Sequence, residues 1–159
     1  MQNDISDLVV LRTLRVSGRC KKPIMIKHIW WIPSISQCLK INVDGAVSGA
    51  LGPLGCGGVF CTYRGIVKGC FYHFLGNGLA IEAELWAMVK VLRYGSNHGW
   101  MVLRMESNSS FSVEIRRNCS RSIPWRILSA WNDYLTLVAQ LFLVFTHVYR
   151  EANWVADSL

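Results

Sequence analysis

Acidic residues are scarce in this chain, ten in 159, and three of them stand where chemistry can be done. Asp44 lies beside a glycine, Glu84 flanks an apolar stripe, and Asp157 falls in the last predicted helix. A fourth polar position, Asn108, ends the alternating part of LRMESNSSFSVEI (103–115), just before helical spacing resumes at Phe111. Carboxylates held near a core want a cation, because an isolated buried charge is costly. Mg2+ takes oxygen ligands and uses few protein carboxylates beside phosphate oxygens and water. Two such ions can activate a water and stabilise the leaving oxygen in phosphodiester cleavage. Taken one at a time, each acid reads equally well as a solvated residue, Glu82 and Glu84 above all.

The elements that must position these residues follow from periodicity. CLKINVDGAV (38–47) alternates Leu39, Ile41 and Val43 with Lys40, Asn42 and Asp44, a strand pattern. GCGGVFCTY and GIVKGCFYHF read as a hairpin about Arg64-Gly65, its first run weakened by glycines 55, 57 and 58. LAIEAELWAMVKVLRYG (79–95) puts Ile81, Leu85, Met88, Val89 and Leu92 on one helical face, with Gly95 as the stop. A strand over 101–107, a short helix over 110–118, a longer helix opened by Pro124, a strand over 141–149 and a brief helix over 151–159 complete the chain. Three leading strands followed by alternating helices and strands predict an α/β fold. Its mixed sheet carries an antiparallel hairpin and helices on its faces.

Composition bounds the class. At 52% hydrophobic and 17% charged, the chain has the material for one ordered domain with a real core. The longest apolar run, Leu135 to Phe145, is broken by Thr136 and Gln140 and falls short of a bilayer span. No signal peptide is visible, so an intracellular protein, nuclear or cytoplasmic, is expected, with no membrane partner. The six cysteines show no Cys-x-x-Cys spacing and read as reduced, mostly buried thiols. Residues 1–40 hold seven Lys or Arg against two Asp, so the basic character lives in an arm, Arg12 to Lys27. Residues 1–37 read as that arm or linker and 38–159 as the domain. Nucleic acid is the obvious anionic partner of the arm, and a solvated linker is the competing reading.

The segments KINVDGAV, GCGGVF, EAELWAM, MESNS and HVYREANWVAD, in that order and spacing, resemble the ribonuclease H family. The likeness is to the ribonuclease H-like domain of plant proteins related to non-LTR retroelement polyproteins, and it covers residues 39–159. It implies a five-stranded mixed sheet and hydrolysis of the RNA strand of an RNA–DNA hybrid with Mg2+, or Mn2+. By position, Asp44 matches the first catalytic carboxylate, Glu84 the second and Asp157 the fourth, and these three are the implied metal ligands. The third falls on Asn108, where the family shows Asp. His147 stands where the family's mobile histidine sits, with a role in proton transfer or product release. Gly45, Asn153, Arg116 and Arg117 are expected on the nucleic-acid side, with Arg121 and Arg126 as further phosphate contacts.

Asn keeps the shape of Asp and one carbonyl oxygen but loses the charge that holds a metal. Weaker metal affinity and a much reduced rate are therefore expected. Glu106, two residues earlier and so on the same strand face, is a candidate to compensate. Two other readings stay open beside the nuclease: a module that grips hybrid or RNA without cutting, and a degenerate retroelement fragment. A monomer is expected.

Overall fold

The computed structural model describes Thr13, residues 28–118 and residues 123–158, without the side chains of residues 113 and 116–118. Five strands form one sheet: β1 (Leu39–Val47), β2 (Gly52–Cys61), β3 (Val67–Gly78), β4 (Val102–Ser107) and β5 (Phe142–His147). Their spatial order is β3-β2-β1-β4-β5. The β1–β2 and β2–β3 pairs are antiparallel, and the β1–β4 and β4–β5 pairs are parallel. This is the expected mixed sheet, with β1 at its centre.

Alternation along β1 assigns the two faces. Ile41 and Val43 are fully buried under α1 (Ala80–Asn97), together with Leu85, Met88, Val89 and Leu92. Helix α3 (Leu128–Gln140) adds Trp131 and Tyr134, stacked at 4.4 Å, to the same core. The opposite face carries Lys40, Asn42 and Asp44, all buried. They are covered by residues 28–37 and by the single-turn helix α4 (Trp154–Asp157), so both faces are sheltered at β1. Helix α2 (Ser110–Asn118) follows β4 directly, its start capped by the Ser109 hydroxyl, which accepts from the Ser112 amide at 3.3 Å.

Several boundaries differ from the sequence expectation. The hairpin turn is wider than Arg64-Gly65: the Thr62 amide donates to the Ile66 carbonyl and Gly65 supplies φ +77°. Both strands then run further from the turn, to Gly52 and Gly78, through bulges at Leu54/Gly55 and Phe60/Cys61. Helix α1 does not stop at Gly95. Gly95 is buried, and a Cβ there would stand 3.1 Å from the Leu103 side chain, so its smallness serves packing. The terminator is Gly99 at φ +69°, with the Trp100 amide returning to the Gly95 carbonyl. Pro124 precedes a 3-10 turn (Trp125–Ile127) before α3 begins, and the last segment divides at Asn153 into a 3-10 turn (Arg150–Ala152) and α4.

Cys38, Cys56, Cys61 and Cys70 are free thiols, the first three buried. Most of the basic arm, Arg12 to Lys27, lies outside the described residues, as do Cys20 and Cys119. Trp31 packs on the domain, its indole donating to Asn42 Oδ1, whereas Trp30 is exposed. Among the described residues no helix is long and apolar enough to cross a membrane.

Candidate active site and nucleic-acid interface

Asp44 and Glu84 are brought together by a glycine. A Cβ on Gly45 would lie 2.4 Å from the backbone of Ala83 and Glu84, so only glycine lets β1 approach the start of α1 this closely. Gly45 therefore sets the spacing of the two carboxylates, a packing task beside the nucleic-acid contact expected of it. Glu82, two residues earlier, is spent on structure: its Oε2 accepts from the Leu79 amide at 3.0 Å and caps α1.

Burial and neighbouring carboxylates govern the charge of this pair. Asp44 is pushed up to about 6, first by burial and then by the nearby Asp157 carboxylate, with which it shares a hydrogen bond. Glu84 is pushed up to about 8 by burial and by Asp44. Its Oε2 is buried and has no hydrogen-bond partner. An orphaned carboxylate oxygen beside a second strained carboxylate is the environment a hard cation relieves. Asp44 and Glu84 thus fit one divalent ion.

Asp157 reaches the same place from α4, but its charge is already matched. The Arg150 guanidinium donates to Asp157 Oδ1 through Nε at 3.1 Å and Nη2 at 2.6 Å, and holds its carboxyl below the usual carboxylate range. Among the described residues no three His, Cys, Asp or Glu side chains converge to hold one ion.

Asn108 lies past the end of β4, half-buried, with its Oδ1 accepting from Asn153 Nδ2 at 3.1 Å. His147, at the end of β5, contacts the Asn108 carbonyl oxygen through Nε2 at 3.1 Å. A carbonyl only accepts, so that nitrogen carries the proton. The structure thus brings His147 and Asn108 together at the sheet end that also holds Asp44.

Asn153 was expected to touch nucleic acid; instead it is fully buried. Its Nδ2 donates to the Val43 carbonyl at 2.9 Å and to Asn108, and its Oδ1 accepts from Asn42 Nδ2 at 3.0 Å. It ties α4 to β1 and to the end of β4.

Glu106 is not a substitute ligand. It is 2% exposed and faces Lys40, itself 1% exposed, at 2.7 Å, with Arg104 Nε at 3.2 Å and Asn42 Nδ2 at 3.3 Å. Parallel pairing of β1 with β4 sets Asn42 opposite Glu106, which is why the carboxylate meets the Lys40 side of the sheet rather than Asn108. The side chains of Arg116 and Arg117, and all of Arg121, lie outside the described residues. Arg126 is half-exposed, 3.5 Å from Glu82, and donates to the Asn77 carbonyl.

Sequence reasoning missed Lys40, Asn42 and Arg150. The first two alternate with core residues and so read as solvent-facing, but that face is covered. Arg150 stands seven residues before Asp157, a separation that two successive helical turns convert into contact.

Comparisons with known proteins bear on the family and the fold. The reverse transcriptase-like family matches residues 42–159. An Arabidopsis thaliana protein named "Putative ribonuclease H protein" is 30% identical over 149 residues. The match takes in 87% of this chain and spans 22% of that protein's length. LC11-RNase H1, solved in complex with an RNA/DNA hybrid, superposes with a TM-score of 0.68 at 24% identity, over 76% of this chain and 92% of that one. RNase H1 from Halobacterium salinarum superposes at 0.70 with 20% identity, over 77% and 93%. The two structures carry the fold, and the family match covers most of the sheet and every candidate site residue. This chain belongs to the reverse transcriptase-like family, as a domain of ribonuclease H type.

Proposed function

We propose that this domain binds RNA–DNA hybrid across the sheet end that holds Asp44, Glu84, Asn108 and His147, and that its hydrolytic capacity is severely reduced. The observation that carries the reading is a buried Asp44 and a half-buried Glu84, set together by Gly45, with the buried Oε2 of Glu84 left without a partner. Such a pair has a purpose beside a cation and a phosphate, and is a liability otherwise.

Asp44 and Glu84 would hold one Mg2+ or Mn2+, with Asp157 adjoining. A divalent ion at this place supplies charge neutralisation for the scissile phosphate and lowers the pKa of water. The chain's own residues do the rest. Burial keeps bulk water from Glu84 Oε2, Arg150 holds Asp157 ionised, and His147 presents an imidazole at the solvent edge, where it can pass a proton. Asn108 adds no charge. A non-cutting binding module is the second reading, and two observations favour it: the neutral Asn108 and the Arg150 guanidinium already seated on Asp157.

The test is a labelled RNA–DNA hybrid, followed for binding and for cleavage in Mg2+ and in Mn2+, with the natural chain and Asn108→Asp. Binding by both, with cutting confined to or far stronger in the variant, is the expected result. Failure of the natural chain to bind hybrid in any condition would sink the reading. Equal cutting by both would show that the third carboxylate is dispensable.

A further inference from the structure

The buried amides beside the site fix which way Asn108 faces. Trp31 Nε1 is a donor only, so the atom of Asn42 it meets, at 3.2 Å, is the acceptor Oδ1. Asn42 Nδ2 is then the arm that reaches Glu106 Oε2 and Asn153 Oδ1. At the far end the Val43 carbonyl only accepts, so Asn153 turns its Nδ2 toward β1, and the same nitrogen donates to Asn108 Oδ1. Both ends of the relay impose the same sense. Turning Asn108 over would oppose two NH2 groups, a donor against a donor.

Asn108 Oδ1 is therefore committed inward. Its Nδ2 makes no hydrogen bond among the described residues, yet it is not one of the buried atoms left without a partner. It is a free donor open to solvent, at the end of β4 beside His147. A carboxylate here would offer an acceptor to a cation. This side chain offers a hydrogen to an anion.

Building on the hybrid-binding reading, we propose that Asn108 is an anion contact, donating its Nδ2–H to a non-bridging phosphate oxygen of the nucleic-acid backbone, in the place where a metal ligand would stand. The chemistry is metal-independent, and it gives a site with a neutral amide at position 108 a use that a weakened metal site lacks. The donor's direction is set by the relay of Trp31, Asn42 and Asn153.

The test uses the whole 15N-labelled chain and the variants Asn108→Asp and Asn108→Ala. The Asn108 NH2 resonances are identified by their absence from both variants. They are expected to shift on adding hybrid in EDTA, and on adding inorganic phosphate, and to stay in place with Mg2+ alone. Hybrid affinity in EDTA is expected to fall about tenfold in each variant, the worth of one hydrogen bond to a charged group. Magnesium is expected to restore Asn108→Asp but not Asn108→Ala. Asn108→Asp keeps the acceptor that Asn153 needs, so a folded variant is available whatever happens to the alanine. Resonances that move with Mg2+ alone, or variants that bind hybrid in EDTA as well as the natural chain, overturn the proposal and leave hybrid binding standing. Resonances that answer phosphate in a chain that binds no hybrid would keep the anion contact and refute the hybrid reading instead.

Discussion

Glu106→Gln separates a structural carboxylate from a metal ligand. In the native fold Glu106 and Lys40 face each other at 2.7 Å with almost no exposure, Asn42 Nδ2 donates to the same carboxylate, and the Arg104 guanidinium lies 3.2 Å away as a second positive charge. Glutamine keeps the shape and removes the charge, which leaves the Lys40 ammonium buried without its counter-ion. Breaking a buried pair from one side costs about 3–5 kcal/mol. The lower end applies, since Lys40 Nζ still donates to the Ile32 carbonyl at 2.7 Å and still lies 4.1 Å from the Trp31 ring centroid. A loss of about 3 kcal/mol lowers Tm by about 6–12 °C in a chain of this size. Urea unfolding at pH 7 reads it, with far-UV circular dichroism as the probe. The double variant Lys40→Met/Glu106→Gln removes the stranded charge and should recover part of the loss. A loss under about 1 kcal/mol would refute the buried-pair reasoning. So would a Glu106→Gln variant of normal stability that no longer binds Mg2+, because that result would make Glu106 the ligand the geometry denies it is.

Other outcomes follow from the same geometry. Glu84 titrates near 8 when folded against an ordinary 4.5, so the folded state holds this proton more tightly than the unfolded one. Its contribution is intact below pH 4.5 and is lost as the pH climbs through 8. Glu84→Gln should therefore be more stable than the natural chain at pH 8.5 in EDTA, by on the order of 4 kcal/mol at most, and nearly equal to it at pH 4.5; parallel pH profiles of the two would contradict this. Mg2+ at pH 8.5 should raise the Tm of the natural chain and leave that of Glu84→Gln unmoved. Gly45→Ala drives a methyl into the Ala83–Glu84 backbone, with an expected cost of about 3 kcal/mol and loss of Mg2+ stabilisation, read by the same melts. Asn153→Ala leaves Asn42 Nδ2 and the Val43 carbonyl without their partner, and about 3 kcal/mol should be lost in urea unfolding.

The strand and helix order was legible because the two periods are clean: Ile41 and Val43 alternate, and Leu85, Met88, Val89 and Leu92 recur at helical spacing. The carboxylates were found through family motifs, since nothing in the spacing of Asp44, Glu84 and Asp157 says that they meet. What places them is the close approach at Gly45, and a glycine in sequence does not announce whether it frees a dihedral or admits a neighbour. The same ambiguity misplaced the end of α1, where Gly95 packs and Gly99 terminates. The polar face of β1 was misread for a related reason. Alternation tells which residues share a face but not whether that face is wet, and here residues 28–37 and α4 cover it.

That covered polar face also explains how a domain of this type tolerates asparagine at position 108. The hydrogen bond that fixes the residue needs only an acceptor for Asn153 Nδ2, and an amide oxygen serves as well as a carboxylate oxygen. The rest of the relay, from Trp31 through Asn42 to Asn153, depends on groups the substitution does not alter. Meanwhile the Asp157 carboxylate raises the proton affinity of Asp44, and Asp44 raises that of Glu84, so one fewer negative charge at this sheet end eases the metal-free fold. Architecture and chemistry are thus separable at this residue. The fold asks for an acceptor pointing inward, catalysis by two cations asks for a charge pointing outward, and asparagine meets the first demand while replacing the second with a donor.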